Sequence, residues 1–113
     1  MNRQSKEYRL QRLISVYKVI FSKQAHKDLQ KLKQSGLGSS AKDITEILSK
    51  NPYQTPPRFE KLSGVLNGYF SRRINVQHRY IYQILPNKDN LKDEYGNLYL
   101  GIIHVLRTWT HYE

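Results

Sequence analysis

The sequence predicts an α+β domain: a twisted, mostly antiparallel sheet with a helical hairpin packed on one face, in the order β-α-α-β-β-β. Three observations predict it. A run of β-branched and aromatic residues at 15–21 reads as a strand. Two amphipathic stretches with helical spacing follow, separated by glycines. After the prolines at 52, 56 and 57, the apolar patterns are strand-like to the end. At 113 residues the chain suits one domain with a single core. Residues 1–14 form a basic N-terminal extension, and residues 15–113 form the domain.

The first strand, Ser-Val-Tyr-Lys-Val-Ile-Phe, is nearly continuous in its apolar end, as a well-buried strand would be. Ser22 is placed to cap the first helix, whose apolar face is Ala25, Leu29 and Leu32 with lysines on its flanks. Gly36 and Gly38 make the turn. Ser40 and Asp43 read as a capping box for the second helix, whose face is Ala41, Ile44, Ile47 and Leu48, and Asn51-Pro52 stops it. Gly64 and Asn67-Gly68 signal turns. Residues 69–75 and 79–85 read as neighbouring antiparallel strands, and 86–97 as a polar loop. Residues 98–108 form the longest β pattern, apolar on both sides, which predicts a central strand. The helices would cover one face of the sheet and leave the other open.

The charge balance is 19 Lys plus Arg against 9 Asp plus Glu, a formal +10. Such an excess points to a polyanionic partner, either nucleic acid or an acidic protein. Cysteine is absent, which excludes a disulfide framework, a thiolate metal site and a cysteine nucleophile. No apolar run has transmembrane length and no leader pattern is visible, so a cytoplasmic location and no membrane partner are expected.

Residues suited to RNA chemistry concentrate in 58–82 and at the C-terminus. RNA is cut without metal or cofactor when a base takes the 2′-hydroxyl proton, that oxygen attacks the neighbouring phosphate, and an acid protonates the leaving 5′-oxygen. Glu60 and His111 suit these two roles; an unperturbed imidazole titrates at about 6.5. Arg72, Arg73 and Arg79 offer fixed, permanently charged donors for the non-bridging oxygens. Arg72 and Arg73 are adjacent in a strand and point to opposite faces, so only one enters a given site. Arg58 and Lys61 are further contacts for the RNA backbone. Of the many rings, Tyr69, Phe70, Tyr80, Tyr82, Trp109 and Tyr112 are candidates for base stacking, with Tyr112 favoured by its place beside His111. The four histidines are scattered, so no metal centre is expected, and His104 reads as a core residue. The alternative reading is a non-catalytic RNA- or ribosome-binding module.

In these residues the sequence resembles the YoeB/Txe branch of the RelE superfamily of bacterial toxins. The resemblance is carried by Glu60-Lys61-Leu62, the Gly-Tyr-Phe-Ser-Arg-Arg-Ile block at 68–74, the His-Arg-Tyr-Ile-Tyr block at 78–82, and the terminal His111-Tyr112 pair. It covers residues 17–113. It implies a microbial RNase-like fold, cleavage of mRNA in the ribosomal A site, no cofactor, a cognate antitoxin of the YefM/Axe kind, and room for a homodimer. It also implies Glu60 as general base, His111 as general acid, Arg73 (rather than Arg72) and Arg79 on the scissile phosphate, and Tyr112 orienting the substrate. The product would be a 2′,3′-cyclic phosphate. Three positions depart from the pattern. Ser63 stands where the family often has lysine, with Lys61 or Arg58 as substitutes; the 86–97 loop is longer than usual; and Glu113 follows the tyrosine.

Overall fold

The computed structural model describes residues 16–109. The helical hairpin is shaped by its glycines and one serine. The Ser22 hydroxyl accepts from the Ala25 amide at 2.9 Å and donates to the Leu106 carbonyl at 2.8 Å, so it both caps the first helix and ties it to the sheet. That helix, α1, runs Lys23–Gln34, and α2 runs Gly38–Lys50. Gly36 takes a left-handed φ of 76° in the turn. A Cβ on Gly38 would lie 3.1 Å from the Lys33 side chain. This close return starts α2 at Gly38, so the expected capping box at Ser40 and Asp43 falls inside the helix and caps nothing. Asn51 ends α2 before Pro52.

The sheet has five strands, β1 (Tyr17–Phe21), β2 (Phe59–Lys61), β3 (Phe70–Arg73), β4 (Arg79–Pro86) and β5 (Gly101–Arg107), in the spatial order β1-β5-β4-β3-β2. β1 pairs with β5 in parallel and every other pairing is antiparallel. The expected α+β class and helical hairpin are present. The addition is β2, a three-residue edge strand that the strand-like stretch after Arg58 contains. β5 is interior, as its two apolar sides require, but it begins at Gly101 rather than 98. Leu98 and Leu100 are exposed, because the preceding loop has its own frame. Within it Asn87 bonds the Leu91 and Tyr99 carbonyls and Asp93 accepts the Tyr95 and Asn97 amides.

The core lies between the helices and one sheet face. Ala25, Leu32, Ala41, Ile44 and Leu48 meet Tyr80, Tyr82, Ile103 and Val105. Strand alternation then assigns the opposite face. Glu60, Ser71 and Ile81 share one row across β2, β3 and β4, and Arg73 pairs with Arg79 in the next row. Ile20, Leu85, Ile102 and His104 lie together at the other end, around a hollow of about 370 Å³. His104 is therefore a half-buried residue of the open face, not of the core.

Candidate active site on the open face

Pro57, Arg58, Glu60, Ser71, Arg73 and Arg79 line one cleft of about 300 Å³. Each wall has a local cause. The turn between β3 and β4 is held by Asn75, whose Oδ1 accepts the Gln77 and His78 amides at 2.9 and 2.7 Å. This sets Arg73 directly across from Arg79. Two like charges opposite each other in a sheet disfavour the pairing unless something anionic compensates. Glu60 is one strand away, beside buried Ser71.

Arg72 serves a different purpose. It is wholly buried on the helix-facing side, where Nε donates to the Tyr82 hydroxyl at 3.0 Å. Its two terminal nitrogens donate to the carbonyls of Pro52, Gln54 and Pro57 at 2.6–2.9 Å. The guanidinium also lies 5.0 Å from the centre of the Phe59 ring. The expectation that Arg72 contacts RNA is thus corrected. Its donors satisfy the proline-rich connection, which fixes the entry into β2 and so the position of Arg58 and Glu60. Lys61 is exposed, but strand alternation puts it on the face opposite Glu60, outside the cleft.

Tyr80 and Tyr82 are likewise buried and do not stack on bases. The Tyr80 and Thr45 hydroxyls lie 2.6 Å apart, and Thr45 donates to the Ala41 carbonyl. Burial pushes the Tyr80 phenol strongly up, against the opposing Thr45 bond. Burial also raises Tyr82, partly offset by its bond from Arg72. Both remain neutral and structural. His111, Tyr112 and Glu113 lie outside the described residues.

The sequence reading missed Asp28. It sits on the apolar stripe of α1 between Ala25 and Leu32, and a carboxylate at such a position signals a buried partner. The partner is Arg107, whose Nε reaches Asp28 at 2.8 Å. Burial alone would raise this carboxyl, but the Arg107 guanidinium, the Thr108 amide and Gln24 together hold it below the ordinary aspartate value.

A larger hollow of about 600 Å³ lies at the helical hairpin, between Phe21, Leu29, Lys33 and Lys42. Its lining has no carboxylate or imidazole, so it lacks an acid–base pair. Among the described residues no cluster of His, Asp or Glu could hold a metal ion, and no helix is long and apolar enough to cross a membrane.

No protein-family model and no curated protein sequence matches the chain. Solved structures do match. A YoeB/ParE toxin from Agrobacterium tumefaciens has a TM-score of 0.64 at 20% identity, over 84% of this chain and 99% of its own. A YoeB dimer from Staphylococcus aureus has a TM-score of 0.63 at 26% identity, over 87% and 100%. YafQ from E. coli strain BL21(DE3) has a TM-score of 0.61 at 18% identity, over 83% and 92%. The first and third speak for the fold. The S. aureus protein, at 26% identity, and the residues at 60–62, 68–74 and 78–82 support a likeness to the YoeB toxins of the RelE superfamily.

Proposed function

We propose that the chain is the toxin of a type II toxin–antitoxin module and a metal-independent endoribonuclease that cuts mRNA in the ribosomal A site. The observation that carries this reading is the cleft in which Glu60 faces the cross-strand pair Arg73 and Arg79. A phosphodiester is the ligand that such a pair would accept, and a carboxylate beside it can take a proton from the adjacent 2′-hydroxyl.

In the proposed reaction Glu60 removes the 2′-hydroxyl proton. The 2′-oxygen attacks phosphorus, the bond from phosphorus to the 5′-oxygen breaks, and His111 delivers a proton to that oxygen. The products are a 2′,3′-cyclic phosphate and a 5′-hydroxyl. Arg73 and Arg79 stabilise the charge gathering on the non-bridging oxygens, and an aligned bidentate arginine contact strengthens as that charge grows. Arg58 at the rim holds the RNA backbone, and Tyr112 orients the substrate. The formal charge of +10 favours docking to ribosomal RNA.

An antitoxin is the expected partner. The YoeB of S. aureus occurs in complex with YefM, and YafQ of E. coli with DinJ. A homodimer is a second expected assembly, by likeness to the S. aureus YoeB dimer. The cytoplasm, where ribosomes and messages are, is the proposed location.

A message carrying one 2′-deoxynucleotide at the cleavage position tests the mechanism. With programmed ribosomes, the all-ribose message is cut and the deoxy message is not. Cutting of both at equal rates would overturn attack by the 2′-hydroxyl.

A further inference from the structure

The floor of the cleft includes Ser71 of β3. Its neighbours in the strand, Phe70 and Arg72, turn to the helix side, where Phe70 stacks on the Tyr82 ring and Arg72 bonds the Tyr82 hydroxyl. Alternation therefore sends the Ser71 side chain to the open face. Glu60 stands directly across from it on β2. Arg73 follows on the same face, about 7 Å along the strand, opposite Arg79. The hydroxyl is thus flanked by the carboxylate and the two guanidiniums.

Only 3% of Ser71 is exposed. A hydroxyl at such depth ordinarily has a partner, because leaving it without one is costly. Buried Ser49 follows the rule and donates to the Glu46 carbonyl at 2.8 Å. Thr108 breaks it, but its oxygen is sealed from any ligand. Ser71 has no hydrogen-bond partner among the described residues, not even Glu60 across the ladder, and unlike Thr108 it borders an open cleft. Its partner is therefore to be sought in what enters that cleft. A serine hydroxyl can donate or accept. Beside Arg58, Arg73 and Arg79 the entering group is an anion, so here it donates. A bond from a hydroxyl to a charged oxygen is worth more than one between neutral groups.

We propose that Ser71 is a substrate-binding residue whose hydroxyl donates to one non-bridging oxygen of the scissile phosphate. This rests on the function proposed above, in which that phosphate lies against Arg73 and Arg79. Ser71 adds an uncharged donor to the pair, on the side of the phosphate that faces the floor of the cleft.

The test uses messages with sulfur in place of one non-bridging oxygen of the scissile phosphate, as the two separate diastereomers. Sulfur accepts hydrogen bonds weakly. Wild type and Ser71→Ala are compared with programmed ribosomes on the all-oxygen message and on both sulfur forms. Ser71→Ala is expected to melt with wild type, since its hydroxyl has no protein partner, and to cut the all-oxygen message about tenfold more slowly. In one sulfur form the acceptor of Ser71 is replaced. There the slowing caused by sulfur is expected to be about tenfold smaller in Ser71→Ala than in wild type, because the variant has no bond left to lose. In the other form sulfur slows both proteins alike. A wild-type rate for Ser71→Ala on the all-oxygen message, or equal sulfur effects in both proteins with both forms, would overturn the inference, while cutting by wild type leaves the function standing. A wild type that cuts none of the messages would overturn both. Should Ser71→Ala not fold, Ser71→Cys, which keeps the shape and donates weakly, carries the same expectation.

Discussion

The indole of Trp109 lies on the imidazole of His78, with ring centroids 4.0 Å apart and planes 26° from parallel. His78 directly precedes β4 and Trp109 follows β5, so the stack joins the entry of one strand to the exit of the other. Trp109→Ala is expected to lower cleavage and to reduce stability by about 2 kcal/mol, while Trp109→Phe keeps a stacking ring and most of both. Urea titrations alongside cleavage rates check this. Full activity in Trp109→Ala would show that the stack does not serve the site.

Arg72 and Arg73 are neighbours with opposite expected phenotypes. Arg72→Ala removes the donors for three carbonyls and a phenol in a buried setting, and should destabilise the fold by about 3 kcal/mol or more. Arg73→Ala, at an exposed position, should change stability by less than about 0.5 kcal/mol while lowering cleavage about a hundredfold. Thermal melts and single-turnover rates separate the two. A stable, inactive Arg72→Ala would return Arg72 to the site.

Salt dependence reports the phosphate contacts. Each cleft arginine that neutralises a phosphate of single-stranded RNA should contribute about 0.7 to the slope of log affinity against log salt. Arg58→Ala and Arg73→Ala are each expected to reduce the slope of short-RNA binding by that amount, and Lys61→Ala to leave it unchanged, since Lys61 lies on the other face. An equal reduction with Lys61→Ala would mean that the RNA path is not the cleft.

The helices, their order and the sheet class were legible because apolar spacing is a local property: Ala25, Leu29 and Leu32 announce one face, and 15–21 announces a strand. That Glu60, Arg73 and Arg79 line one cleft agrees with their concentration in 58–82, and alternation already places Arg73 and Arg72 on opposite faces. The use of Arg72 was not legible, because its partners are backbone carbonyls 15 to 20 residues away that any sequence carries. His104 misled because alternation assigns faces only once the covered face is known. Lys61 misled because neighbours in a strand do not share a face. Asp28 did leave a signal, an acid in an apolar stripe, but its partner Arg107 is 79 residues further on.

Acid should weaken the Asp28 clamp. Its carboxyl titrates below the ordinary 3.8 in the folded chain, so the stabilisation is complete above that value and is lost as pH falls through the lower, folded one. Between about pH 6 and about pH 2.5, unfolding free energy should fall more steeply for wild type than for Asp28→Asn. Parallel curves from urea titrations across that range would contradict the assignment.

The proposed roles of Glu60 and His111 as the acid–base pair of a ribosome-dependent nuclease can be tested by primer extension. A defined message on ribosomes with an empty A site is treated with wild type, Glu60→Ala or His111→Ala, each with and without ribosomes. New 5′ ends at the A-site codon are expected for wild type with ribosomes only, and none for either variant although both remain folded and bind ribosomes. An intact message under wild type that binds ribosomes, or wild-type cutting by folded Glu60→Ala, would contradict it.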